Sequence, residues 1–348
     1  MIKIGITHGD INGISYEIII KTLLDSRIFE ICTPILYGSP KVAAYHRKAL
    51  EIENLSFHNV RSPEEATPKK ASIINCVDDE IRVELGKSTK TAGEAARIAL
   101  MKAVDDLKNN RIQALITAPI NKQNIQSENF RYRGHTEFLQ DYFDAEESLM
   151  LMSSEMIKIG VVSSHIPLAD VPGYLSQEEI STKIRILDSS LKRDFGIRKP
   201  RIAVLGLNPH AGEDGMLGSE ENDMIIPAIK ETKEDNITVF GPFPADGFFG
   251  SGDFSRFDGI LAMYHDQGLI PFKTLVPDDG VNYTAGLPII RTSPAHGTAY
   301  EIAGANKARP GSFRQAIFMA CDIYKNRQLF DEITKDPLPE KDLNEVGQ

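Results

Sequence analysis

The sequence predicts an α/β protein with a mostly parallel sheet, and three apolar runs carry that reading. They are Lys158-Ile159-Gly160-Val161-Val162-Ser163-Ser164, Arg201-Ile202-Ala203-Val204-Leu205-Gly206-Leu207 and Gly259-Ile260-Leu261-Ala262-Met263-Tyr264. Short runs of this kind, rich in β-branched residues, are the signature of strands buried on both faces. Each leads to a histidine: His165 and His265 at once, His210 after Asn208-Pro209. Ligands of open α/β sheets bind beyond the carboxyl ends of the strands, so the three imidazoles are expected at one rim.

Strand-like and amphipathic stretches alternate along the chain. Residues 2–7 predict the first strand and 14–25 the first helix, with further strands at 34–38 and 72–76. Residues 91–108 place Ala95, Ile98, Ala99, Met101, Val104 and Leu107 at helical spacing, a core-facing helix. A strand at 114–117 is broken by Ala118-Pro119-Ile120. The charged, aromatic stretch 121–144 reads as the crossing between two lobes, and 313–324 as a helix. One lobe is expected from residues 1–125 plus 290–348 and a second from 126–289. The acidic tail after Lys335 is expected to be mobile.

A chain of 348 residues suits two α/β lobes, and 41% apolar content excludes wholesale disorder. The net charge of −10 argues against nucleic acid or an anionic membrane as partner. Cys32, Cys76 and Cys321 form no C-x-x-C, so neither a disulfide framework nor a thiolate metal site is indicated. The start, Met1-Ile2-Lys3-Ile4-Gly5-Ile6-Thr7, reads as a strand without a signal peptide's apolar region. No segment has the length of a membrane span. A cytoplasmic location is expected.

Three histidines favour Zn²⁺ as the bound ion, with Mg²⁺ or Co²⁺ as alternatives, and three protein ligands leave positions open for substrate. Asp266 can orient His265. Lys273, Asn282 and Arg291, set in apolar sequence rich in Gly and Pro, are candidates for holding an anion, the guanidinium as a planar fork and the ammonium as a point charge. Arg133-Gly134-His135-Thr136-Glu137 is a second polar cluster, or a helix start capped by Thr136. His8-Gly9-Asp10-Ile11-Asn12-Gly13 is not G-x-G-x-x-G and predicts only a tight strand-to-helix turn. His46 and His58 receive no role. In His296-Gly297-Thr298-Ala299-Tyr300-Glu301-Ile302-Ala303-Gly304, small residues let backbone approach a flat or phosphorylated ligand.

Taken together these segments resemble the 4-hydroxythreonine-4-phosphate dehydrogenase family of vitamin B6 biosynthesis. The likeness runs from the first strand to about residue 309. It includes Gly134-His135-Thr136-Glu137, Ser164-His165-Ile166-Pro167-Leu168, Leu207-Asn208-Pro209-His210-Ala211-Gly212-Glu213, Gly241-Pro242-Phe243-Pro244-Ala245-Asp246, Met263-Tyr264-His265-Asp266-Gln267-Gly268 and Ile290-Arg291-Thr292-Ser293-Pro294. The 296–304 loop resembles the adenine-side loop of isocitrate and isopropylmalate dehydrogenases.

The resemblance implies their fold, and NAD bound at His296, Gly297, Thr298, Ala299 and Gly304. It implies metal ligands at His165, His210 and His265, and substrate contacts at His135, Thr136, Lys273, Asn282 and Arg291. It also implies a homodimer with the active site in the interlobe cleft at the dimer interface and metal ligands drawn from both subunits. The expected reaction is NAD-dependent, metal-assisted oxidation and decarboxylation of 4-phosphooxy-L-threonine to 3-amino-2-oxopropyl phosphate. Lys273 is the candidate for proton transfer or carboxylate contact, and Asp246 for the amine or the metal shell. Alternatives are a dehydrogenase of a related phosphorylated hydroxy acid, such as a 4-phosphotetronate, or a zinc hydrolase using the same histidines. Ala295 and Gly247 stand where an acidic residue and a threonine are common in the family, and the first turn lacks the family's usual prolines.

Overall fold

A computed structural model describes residues 1–78, 80–128 and 130–335; the tail beyond Lys335 lies outside them. The strands are β1 (Ile2–Thr7), β2 (Cys32–Gly38), β3 (His58–Val60), β4 (Ser72–Asn75), β5 (Ala114–Thr117) and β6 (Leu149–Ser153). They continue with β7 (Lys158–Ser163), β8 (Ile202–Leu205), β9 (Val239–Phe243), β10 (Gly259–Tyr264), β11 (Val281–Ala285) and β12 (Arg291–Pro294). Among the described residues all twelve join one sheet, ordered β3-β4-β2-β1-β5-β12-β11-β6-β7-β10-β8-β9. Antiparallel pairing is confined to the run β12-β11-β6-β7, and the remaining neighbours are parallel. Residues 2–117 and 291–294 thus supply one half of the sheet and 149–285 the other, with β12 and β11 as the seam.

Strand alternation explains why helices cover both faces. Leu36, Ile116, Val204 and Leu261 point to a core under the helices Ser15–Leu23, Gln177–Arg193 and Gly311–Thr334. Their neighbours Ile35 and Leu115 face the helix Lys90–Lys108. Ala203, Leu205, Ile260 and Ala262 face the helix His265–Leu275. Thr89 and Ser176 start two of these helices by accepting bonds from the amides of Ala92 and Glu179. At the seam, Tyr283 Oη donates to Asp194 and Arg327 Nε lies 2.7 Å from the same carboxylate, tying both long helices to β11.

His8 and His46, polar residues deep in the first half, have a structural role. His8 Nδ1 lies 3.1 Å from Tyr16 Oη and its Nε2 3.0 Å from the Ala95 carbonyl. His46 stacks on Tyr16 and sets its Nε2 2.9 Å from the Ile11 carbonyl. Burial pushes each imidazole down to about 4. Unfolded, both would titrate near ~6.5, so the unfolded chain binds more protons between the two values. Stability is therefore fully present above about 6.5 and declines as pH falls towards 4, by on the order of 3 kcal/mol per imidazole. Urea midpoints between pH 7.5 and 4.5 should fall accordingly, and His46→Gln should flatten the dependence. A pH-independent midpoint would refute this account.

Candidate active site

Beside the seam lies a polar cleft of about 730 Å³ lined by His135, Thr136, His165, Asn282, Arg291 and Lys122, among others. Arg291 opens β12 and is almost fully buried. Its Nε and Nη2 donate to Thr117 Oγ1 at 3.0 and 2.7 Å, and its Nη1 to Thr284 Oγ1 at 3.2 Å. Burial brings its pKa down to about 10, which leaves it a cation at neutral pH. Among the described residues no carboxylate pairs with it. A buried, uncompensated cation held by neutral hydroxyls is costly unless an anion joins it.

His135 is placed by the glycine before it. Gly134 is the N-cap of the helix His135–Tyr142, so Thr136 sits in its first turn and does not cap it. Arg291 Nη2 lies 3.3 Å from His135 Nδ1. The guanidinium can only donate, so Nδ1 carries the lone pair and Nε2 the proton. Burial, then Arg291 and Lys122, hold this imidazole well below its usual pKa, hence neutral. Its Nε2 is buried without a hydrogen-bond partner among the described residues, as is Asn282 Oδ1. Buried polar atoms in native proteins are nearly always satisfied, so two orphans lining one cleft make it a candidate ligand site.

The parallel neighbours β7, β10 and β8 end on one side of the sheet, as the sequence predicts. The His165 and His265 rings come within 5.7 Å. His265 starts its helix, and the next turn fits only because Gly268 carries no side chain: a Cβ there would stand 2.9 Å from Ile159 Cγ2. His265 Nδ1 lies 2.7 Å from Asp266 Oδ1, which fixes the proton on Nδ1 and leaves Nε2 free to ligate. His165 is pushed down to about 4 by burial, Lys122, His265 and Arg133, so it is the neutral base that a metal requires.

His210 is set differently. Residues His210 to Asp214 all have positive φ, from 43° to 81°, a left-handed turn that side chains disfavour. The buried Glu221 braces it by accepting from the amides of Leu207 and Asn208, both at 2.8 Å. Among the described residues no three His, Cys, Asp or Glu side chains of this chain converge on one metal-sized position. The three predicted histidines are therefore found as a pair and a separate third.

Lys273 lies two turns past His265 on the same helix, exposed and outside the Arg291 cleft, although its charge contributes, after burial, to lowering the pKa of His296. Asp246 lines a separate groove with Tyr264 and Asp266. The 296–304 loop docks on the first turn of the chain. Ile14 N donates to Thr298 O at 3.0 Å, and a Cβ on Gly13 would meet that oxygen at 2.6 Å. Tyr300 Oη and Asn124 Nδ2 both donate to the buried Asp10, at 2.7 and 2.8 Å. Among the described residues His296 Nε2 is buried without a partner, and nothing lies within 4 Å of where a Cβ on Gly297 would point. Sequence reading assigned no role to Thr117, Thr284, Lys122 or Glu221, and took Asp10 only as part of a tight turn. Only Lys122, a cation after Pro119-Ile120-Asn121, carried a local signal.

The fold thus sets a polar cleft, lined by a buried arginine, beside the seam of a mostly parallel sheet. A family model described as pyridoxal phosphate biosynthetic protein PdxA matches residues 30–320. A 4-hydroxythreonine-4-phosphate dehydrogenase of Bacteroides thetaiotaomicron is 52% identical, covering 97% of this chain and 93% of that protein. A putative D-threonate 4-phosphate dehydrogenase of Oceanobacillus iheyensis is 39% identical, covering 92% of this chain and 97% of that protein. The crystal structure of a 4-hydroxythreonine-4-phosphate dehydrogenase from Klebsiella pneumoniae superposes with a TM-score of 0.81 at 34% identity, covering 92% of this chain and 98% of that one.

The chain belongs to the PdxA family and is an oxidoreductase of vitamin B6 biosynthesis. Among the described residues no helix is long and apolar enough to cross a membrane.

Proposed function

We propose that this enzyme is a cytoplasmic homodimer that oxidises and decarboxylates 4-phosphooxy-L-threonine with NAD. The observation that carries this reading is the pair formed by Arg291, a buried cation, and His135, whose Nε2–H is buried; among the described residues the first has no counter-ion and the second no acceptor. Together they suit an oxyanion of a phosphorylated substrate. Asn282 and Thr136 would fix its orientation, so that C3 faces the cofactor.

His165, His210 and His265 would hold a divalent ion, Zn²⁺ first, in a site completed across the dimer. When bound, that ion would acidify the C3 hydroxyl and stabilise negative charge as carbon dioxide leaves. Lys273 would take the proton of that hydroxyl and Asp246 the substrate amine, both across the dimer, since within one chain they lie outside the Arg291 cleft. The 296–304 loop would seat NAD, since His296 Nε2 seeks a partner and the space beside Gly297 is open.

The test is NADH formation from NAD and 4-phosphooxy-L-threonine. No NADH from that substrate, with turnover of D-threonate 4-phosphate, would reassign the enzyme to the other activity named among its relatives. Among the described residues nothing lies within 4 Å of where a Cβ on Gly297 would stand, so Gly297→Val should fold normally while raising KM for NAD about tenfold or more, with little change in KM for substrate, as expected where backbone approaches a ligand closely. Equal changes in both constants would count against the loop as the cofactor seat.

A further inference from the structure

The 296–304 loop and the residues after it are tethered at three points to the first turn and first helix of the chain. Ile14 N donates to Thr298 O, and Ala299 follows with a φ of 43°, the left-handed region that a side chain disfavours. Further on, Lys21 Nζ donates to Asn306 O and Ala308 O at 3.1 and 2.9 Å, and Ala308 N donates to Glu17. Between them Tyr300 Oη donates to Asp10 Oδ2. Asn124 Nδ2 closes a triangle, 2.8 Å from that oxygen and 3.4 Å from the hydroxyl, while Asp10 Oδ1 accepts from Asn12 N. Asn124 is itself fixed by Asn121 Oδ1, in the turn whose Ile120 and Lys122 line the Arg291 cleft. Asp10 thus joins three segments: the first turn, the wall of the cleft and the loop. Among the described residues no lysine or arginine pairs with this buried carboxylate, so it depends on its neutral donors.

We propose that Asp10 is a positioning residue that holds the 296–304 loop in register with the wall of the Arg291 cleft, and that Tyr300 is the arm through which it acts on NAD. This rests on the reading of the loop as the cofactor seat. Asp10 is fully buried, so it acts on ligands only through the groups bonded to it. A backbone in a disfavoured conformation, as at Ala299, persists only where its surroundings over-determine it. Two bonds flank Ala299, Ile14 N to Thr298 O before it and Tyr300 Oη to Asp10 after it. Without the second, the backbone that carries His296 and Gly297 leaves the conformation that meets NAD for part of the time. Affinity then falls with the fraction of molecules still competent to bind. The cleft keeps its wall, because Asn124 still donates to Asp10.

Calorimetric titration of the full chain with NAD tests this without turnover. Tyr300→Phe keeps the ring and loses the hydroxyl. It should weaken NAD binding about fivefold or more, the scale of one hydrogen bond, with KM for 4-phosphooxy-L-threonine unchanged. Asp10→Asn leaves at least one of three donors without an acceptor and should weaken NAD binding and raise that KM together. The double variant should bind NAD no more weakly than Asp10→Asn alone, because the two side chains act as one unit. A tyrosine that only braced the fold would lower the melting temperature and leave NAD affinity where it was. Tyr300→Phe decides the matter even where Asp10→Asn fails to fold: the parent's NAD affinity, or a substrate KM raised as far as NAD binding is weakened, overturns the proposal. Gly297→Val separates the two readings. NAD binding weakened by that change but not by Tyr300→Phe removes only the positioning role, and NAD binding moved by neither removes the loop as the cofactor seat.

Discussion

Arg291→Ala is expected to lower kcat/KM by about a hundred- to a thousandfold, the scale set by removing one partner of a buried, hydrogen-bonded charge pair. The guanidinium is held by Thr117, Thr284 and His135, so it enters the cleft already oriented. Arg291→Lys should recover little, because a point charge cannot bond both threonines and a ligand in one plane. Steady-state kinetics with the phosphorylated substrate decide the matter, alongside a melting curve that separates misfolding from lost binding. Kinetics like the parent's would remove Arg291 from the site.

His165→Ala and His265→Ala should each strip most of the bound metal and reduce turnover about a thousandfold or more, as expected when a ligand of a catalytic ion is lost. Their rings are near neighbours, and Asp266 already fixes the tautomer of one. Metal content by elemental analysis gives a readout independent of activity. His210→Ala belongs in the same series. Metal content equal to the parent's in all three variants would end the three-histidine account.

The frame of the site was legible in local sequence. Each strand that ends near a histidine is an apolar, β-branched run, and burial on both faces leaves such a run little choice. The helix carrying Lys273 was not, because Gly268 and Pro271 punctuate it as though it were a loop. Gly268 is there for contact with β7, a tertiary reason with no local mark. The left-handed turn of His210 depends on Glu221, which bonds back to Leu207 and Asn208 from the next element. The hydroxyl cage of Arg291 joins residues as far apart as Thr117 and Arg291. Asp10 read as part of a turn, since its partners Asn124 and Tyr300 lie over a hundred positions away. What sequence could not supply, in each instance, was a partner brought in by the fold.

The place of β12 has a consequence for how the protein is made. β5 pairs with β1 on one side and waits for β12 on the other, yet Arg291 follows Thr117 by 174 residues. At about 5–20 residues per second, a ribosome takes on the order of ten to thirty seconds to cover that interval. Throughout it the nascent first half carries an unpaired strand edge, the kind of surface that templates aggregation. The segment that closes this edge is the one that delivers Arg291. Completion of the sheet and arrival of the anion anchor are therefore a single late event, and a chain released early has neither.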